Sequence, residues 1–139
     1  MFRKRAGEIE VLLVHPGGPF FARKDEGAWT IPKGEVERGE DLLTRAKIEF
    51  EEELGVPATG EFREIGSIKQ KGGKVVHAWA VEGDFTGPVR SNTFEMEWPP
   101  RSGKRQTFPE VDRAEFFPLD IAWQKINETQ RAFLERLGN

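Results

Sequence analysis

There is no cysteine among the 139 residues, which excludes a disulfide framework, a thiol nucleophile and any thiolate metal site. Long apolar runs are missing too: no stretch approaches the ~20 residues that span a membrane. The opening MFRKRAGEIE is basic but lacks the apolar core of a secretion signal. Positive charge is not in excess, since the formal net charge is −3; this argues against broad binding to nucleic acid or an anionic membrane. Repeats, low-complexity tracts and long linkers are absent. These absences lead us to expect a soluble cytoplasmic protein with a single domain over residues 1–139.

What is present is enough to build a core. Hydrophobic residues make up 37%, with 11 Phe and 4 Trp, so a packed globular domain is expected rather than disorder. The run IEVLLVH, residues 9–15, predicts a strand ended by the turn-forming PGGP. FFARK, residues 20–24, reads as a short strand or a loop. The Gly-containing stretch 27–40 reads as an ordered loop. Residues 41–54, DLLTRAKIEFEEEL, predict a helix stopped by Gly55 and Pro57. Segments 61–70 and 74–85 form a candidate hairpin about Gly72-Gly73. A polar stretch covers about 86–110, and a short strand near 115–117 leads into a C-terminal helix with Asp120 as N-cap. Ala122, Ile126 and Phe133 would share one face of that helix and cover the sheet. The expected fold is α/β (α+β), a mixed β-sheet sandwiched between helices.

The helix at 41–54 carries Glu49, Glu51, Glu52 and Glu53, a crowding that costs a few tenths of a kcal/mol per pair one turn apart. At 100° per residue, Leu43, Ala46, Phe50 and Leu54 fall within an arc of about 80°, the core stripe. Glu49, Glu52 and Glu53 share a separate arc, while Glu51 points elsewhere. An acidic arc is ordinarily a solvated face. Here a Gly-containing loop and Glu40 precede it, and carboxylates aimed at one point are how proteins hold hard divalent cations. A cation would relieve the repulsion and keep all three groups ionised.

Residues 34–56, GEVERGEDLLTRAKIEFEEELGV, resemble the Nudix box, G-x5-E-x7-R-E-U-x-E-E-x-G-U with U apolar. Gly34, Glu40, Glu49, Phe50, Glu52, Glu53, Gly55 and Val56 match, and Ile48 replaces the arginine. The preceding WTIPKG and the strand order extend the resemblance over nearly the whole chain. Against the family, the strand before Glu8 looks abbreviated: either it is short or the chain start is trimmed.

The resemblance implies a fold and a chemistry. Nudix proteins hydrolyse a nucleoside diphosphate linked to another moiety, by water attack at phosphorus, and this needs charge neutralisation and in-line positioning. By resemblance, Glu49, Glu52 and Glu53, with the Gly34 carbonyl, would ligate Mg2+ or Mn2+. Glu49 or Glu53 would be the base, or else a glutamate on a later loop, for which Glu110 is preferred over Glu95 and Glu97. Glu40 would be structural. Lys33 and Lys74 would meet the phosphates, and strand alternation argues that Lys74 and His77 do not both face the site. Arg101, Lys104 and Arg105 are further cations that would close over a polyphosphate, or else form a solvated basic loop.

The expected partner is a small nucleotide, with no nucleic acid or membrane and the oligomeric state left open. Dinucleoside polyphosphates or nucleoside triphosphates are favoured. The chain has no tyrosine, so the tyrosine marking many diadenosine tetraphosphate hydrolases is absent, as is the proline associated with ADP-ribose hydrolases. Trp29, Trp79, Phe85 and Trp98 are left as rings that a base would stack on. The alternative, motivated by Ile48, is a Nudix-fold binding or regulatory module with weakened catalysis. Arg45 falls between Glu52 and Glu49 on the helical wheel and would supply the charge that Ile48 lacks.

Overall fold

The computed structural model describes residues 1–33 and 41–138. Gly34 and Glu40 therefore lie outside the described residues. The elements in chain order are β1 (Phe2–Arg5), β2 (Glu8–Pro16), α1 (Leu42–Leu54), β3 (Phe62–Lys69), β4 (Val75–Val81), β5 (Thr93–Glu97), β6 (Arg105–Pro109), β7 (Val111–Pro118), α2 (Leu119–Lys125), a 3-10 turn (Glu128–Gln130) and α3 (Arg131–Gly138).

β2 is the spine. Val11, Leu12, Leu13 and Val14 are all buried, the continuous apolar run of a strand covered on both faces. Val11 and Leu13 join a core with Trp29, Ala122, Ile126, Leu134 and Leu137, contributed in part by α2 and α3. Leu12 and Val14 face the other way, onto Phe50 and Leu54 of α1 and onto Val81 and Val111. Helices thus cover the sheet on both sides, as expected. β2 pairs antiparallel with β1 and β7. A parallel bridge between Phe2 and Glu82 brings the end of β4 against β1, which makes the arrangement mixed.

Two parts of the sequence reading are corrected, and the strand before Glu8 is, as one of its alternatives held, short at four residues. The opening residues form a strand, β1, joined to β2 through Ala6 and Gly7, both at positive φ (51° and 81°). Positive φ at both central residues is what a two-residue turn with the twist of a hairpin requires. The strand before Glu8 is therefore present as a β-hairpin arm, and its Arg3 pairs with Glu10 at 2.8 Å and Asp84 at 2.9 Å. The polar stretch 86–110 contains a second hairpin, β5 with β6. Phe94 faces Phe108 across it, with centroids 6.0 Å apart; β5 alternates over only five residues and β6 hardly at all, which leaves little mark in the sequence.

The C-terminal helix is broken in two. Asp120 is not its N-cap: Pro118 stands there without a side-chain cap, and Asp120 lies in the first turn of α2. The break falls at Ile126, where the backbone is extended, and the Asn127 carboxamide then accepts from Thr129 N–H at 3.0 Å to start the next turn. Ala122, Ile126 and Phe133 are all buried, but they come from separate pieces. FFARK forms turns, not a strand. The β3–β4 hairpin is narrower than its predicted limits, and Gly72 and Gly73, at φ 86° and 84°, make its turn. No helix among the described residues is long and apolar enough to cross a membrane.

Candidate functional site

α1 forms where its sequence says it should. The Asp41 carboxylate caps it, accepting from Thr44 N–H at 3.0 Å and from the Thr44 hydroxyl at 2.8 Å, so that one orphan amide of the first turn is satisfied. Gly55 ends it in the left-handed conformation, and its N–H reaches Glu51 C=O at 2.7 Å. A Cβ at Gly55 would also stand 2.6 Å from that of Arg90. Phe50 and Leu54 are buried, Leu43 and Ala46 half-buried, and Glu51 exposed, matching the two arcs.

The acidic arc is far from an ordinary wet face. Glu49 is only 7% exposed. The Arg45 guanidinium donates to Glu49 Oε1, and the same nitrogen lies 3.9 Å from Glu52 Oε2. Arg45 thus stands against both carboxylates that the wheel placed beside it, while Ile48 is 39% exposed. Burial raises the Glu49 carboxyl above its ordinary range, Arg45 works against that, and Glu52 and Glu110 add repulsion. For Glu53, burial pushes the carboxyl up to about 8. An N–H from the Lys33 backbone, at 3.2 Å, and the Lys33 charge oppose the rise, while Glu49 and Glu110 reinforce it.

Glu110 comes from the junction of β6 and β7, and a short strap explains its closeness to α1. Asn92 N–H donates to Glu52 C=O at 2.7 Å and Arg90 N–H to Leu54 C=O at 3.3 Å, satisfying carbonyls that the last helical turn leaves open. Glu110 N–H in turn donates to Asn92 C=O at 2.9 Å, and Glu110 C=O accepts from Gly17 N–H at 3.0 Å. No motif flagged this strap; it lies in the stretch read as polar loop.

Lys33, Glu53 and Glu110 line one cleft of about 380 Å3, with Phe21 and Thr30 on its walls. Lys33, Arg45, Glu49, Lys74, His77 and Trp79 line a second of about 440 Å3. Lys74 and His77 both line this cleft, as do Val75 and Val76 between them. Lys74 precedes β4 and closes the hairpin turn, its C=O accepting from Gln70 N–H at 2.7 Å, so strand alternation does not reach it. Arg101, Lys104 and Arg105 lie at the far end of the β5–β6 hairpin and line neither cleft. Glu95 and Glu97 are exposed on β5, with Glu95 3.6 Å from Arg105. Of the candidate rings, Trp29 is 1% exposed and hydrogen-bonded to Asp25, and Trp98 packs edge-on against Phe20. Phe85 packs against the α1 core, and Trp79 stands in the second cleft.

Among the described residues, no three His, Asp or Glu side chains stand close enough together to hold a metal ion as placed. The donor chemistry nevertheless suits a hard cation: carboxylates from two elements, with Glu49 and Glu53 both raised by burial and repelled by Glu110.

Residues 1–137 match the NUDIX domain family. A stretch of 61 residues is 39% identical to Nudix hydrolase 7 of Arabidopsis thaliana, covering 44% of this chain but only 20% of that relative's length. The fold is similar to a C. elegans Ap4A hydrolase binary complex, with a TM-score of 0.67 and 22% identity over 99% of this chain and 90% of that one. It is also similar to the NUDIX domain of Shewanella oneidensis NrtR complexed with ADP ribose, with a TM-score of 0.63 and 16% identity over 99% and 80%. A MutT protein from Methanosarcina mazei Go1 aligns with a TM-score of 0.61 and 19% identity over 99% and 88%. At these identities the structural likeness carries the fold alone. With residues 1–137 of its 139 matched by the family model, the chain belongs to the NUDIX domain family.

Proposed function

We propose that this domain hydrolyses a pyrophosphate linkage in a nucleoside diphosphate derivative, a dinucleoside polyphosphate or nucleoside triphosphate before others, with Mg2+ or Mn2+ as its cofactor. The observation that carries the reading is the burial of Glu49 and Glu53 on one helix face, with Glu110 in repulsive reach and Lys33 at Glu53. Carboxylates kept together at such a cost need an electrostatic partner.

In this reading Glu49, Glu52, Glu53 and the Gly34 carbonyl would hold the cation, and the chemistry it would supply when bound is charge neutralisation at phosphate oxygens and a more acidic attacking water. Glu49, Glu53 or Glu110 takes the proton from that water. Lys33 and Lys74, which line the second cleft together, bind the phosphate chain and orient it for in-line attack. Arg45 holds Glu49 and Glu52 in place, and Glu40 supports the loop. The preference for dinucleoside polyphosphates or triphosphates rests on Lys74 and Glu110. Arg45 beside Glu49 also weakens the case for a non-catalytic module, whose motive was Ile48.

The test is a panel of polyphosphates, nucleotide sugars and ADP-ribose incubated with Mg2+ or Mn2+, with products resolved by chromatography. Cation-dependent cleavage that Glu53→Gln abolishes is the expected result. Nucleotide binding without turnover of any member would overturn it in favour of a binding module.

A further inference from the structure

Glu110 belongs to the stretch between β6 and β7, yet it must keep its distance from α1 if it is to serve the same phosphorus as Glu49 and Glu53. The backbone bonds from Glu52 to Asn92 and from Asn92 to Glu110 set that distance. They are main-chain bonds between short segments, so something must fix the strap against β7. Ser91 does this. Its hydroxyl accepts from Val111 N–H at 3.2 Å and lies 3.1 Å from Val111 C=O and 2.9 Å from Asn92 C=O. A hydroxyl has one proton to give, so it donates to one of these carbonyls at a time while it accepts from Val111. Ser91 is half-buried and Val111 is 4% exposed, so no solvent stands ready to replace the bond at Val111.

We propose that Ser91 is a positioning residue for Glu110: its hydroxyl locks the Arg90–Asn92 strap to Val111 and so holds Glu110 in register with the acidic face of α1. The proposal rests on the hydrolase reading above, with Glu110 acting on the reaction. The geometry makes a sharp distinction between shape and hydrogen bonding. Threonine keeps the hydroxyl, whereas valine matches threonine in volume and lacks it. Misplacement of a reacting group by about 1 Å costs up to a hundred-fold in rate, so a partly loosened strap should cost about ten-fold.

The experiment compares Ser91→Thr, Ser91→Val, Glu110→Gln and the Ser91→Val/Glu110→Gln double variant. All are assayed well below their melting temperatures with the substrate that the panel identifies. Ser91→Val should lower kcat about ten-fold with KM changed less than two-fold, and Ser91→Thr should restore most of it. In the Glu110→Gln background, Ser91→Val should add less than a two-fold loss, because the two act as one unit. Equal kcat for the Thr and Val variants, or a full additional ten-fold loss in the double variant, would overturn the proposal. Amide hydrogen exchange at Asn92, Glu110 and Val111 provides a readout that needs no substrate. Exchange at all three should accelerate at least ten-fold in Ser91→Val and not in Ser91→Thr. Unchanged exchange would refute the strap even if the enzyme reading stands, and accelerated exchange would support it even if no substrate were turned over.

Discussion

Replacing Glu53 with glutamine should stabilise the cation-free domain by an amount that grows as pH rises from 5 to 8. In the fold, burial lifts the Glu53 carboxyl from 4.5 to about 8. The folded state then keeps a proton that the unfolded chain releases as pH rises past 4.5. The resulting stabilisation is fully present below the unfolded value and lost as pH rises through about 8. Each pH unit between those values is worth about 1.4 kcal/mol, which sets a ceiling near 5 kcal/mol. Glu53 keeps some contact with solvent, and screening reduces that figure to about 2 kcal/mol. Glutamine has nearly the same shape, and its amide oxygen can still accept from Lys33 N–H. The assay is urea unfolding of wild type and Glu53→Gln in EDTA at several pH values from 5 to 8. The difference should start near zero at pH 5 and grow to about 2 kcal/mol in favour of the variant at pH 8. Added Mg2+ or Mn2+ should stabilise wild type at pH 8 and act far less on the variant. Parallel stability curves across this range would show that Glu53 is not held protonated by the fold.

Arg45→Ala should lower kcat or weaken the apparent affinity for Mg2+, and cost about 1–2 kcal/mol of stability by leaving Glu49 buried without its guanidinium partner. Ile48→Arg should be tolerated, because Ile48 is 39% exposed; unaltered Arg45→Ala kinetics and Mg2+ dependence would refute the compensation. Gly55→Ala should destabilise by about 1–3 kcal/mol, since alanine would be strained at φ 85° and its Cβ would meet Arg90. An unchanged urea midpoint would count against that.

α1 was legible because two signals coincide there, a 3.6-residue apolar stripe and a Gly stop; that Asp41 caps the helix and does not begin it is seen only in the structure. The same wheel places Arg45 beside Glu49 and Glu52, where the structure has it. β2 was equally plain, since a strand buried on both faces spells itself in consecutive apolar letters. β1 was not, because FRKR has one apolar residue and draws its stability from pairing with β2 and from the ion pairs of Arg3. The β5–β6 hairpin was hidden because β5 alternates over only five residues and its partner RQTFP has Phe108 as its one inward apolar side chain. The split in the C-terminal helix depends on where Asn127 N–H goes, to Trp29 C=O at 2.7 Å, and a partner so distant in sequence leaves no local mark. Ser91 was invisible for the same reason: its role is set by Val111, twenty residues on.

The grip on Trp29 has a consequence for synthesis. Gly27 N–H donates to Gln124 C=O and Trp29 N–H to Lys125 C=O, while Asn127 N–H returns a bond to Trp29 C=O. Ile31 N–H completes the hold on the Gln130 carboxamide at 3.0 Å. The segment that delivers Lys33 to Glu53 is thus moored to residues translated long after α1. A ribosome that has released every glutamate of the acidic helix has still made only half of a site. Until residues 124–130 emerge, the segment leading to Lys33 is held only by the paired bonds between Val14 and Thr30, and Lys33 should reach Glu53 stably only once the C-terminal residues have been made.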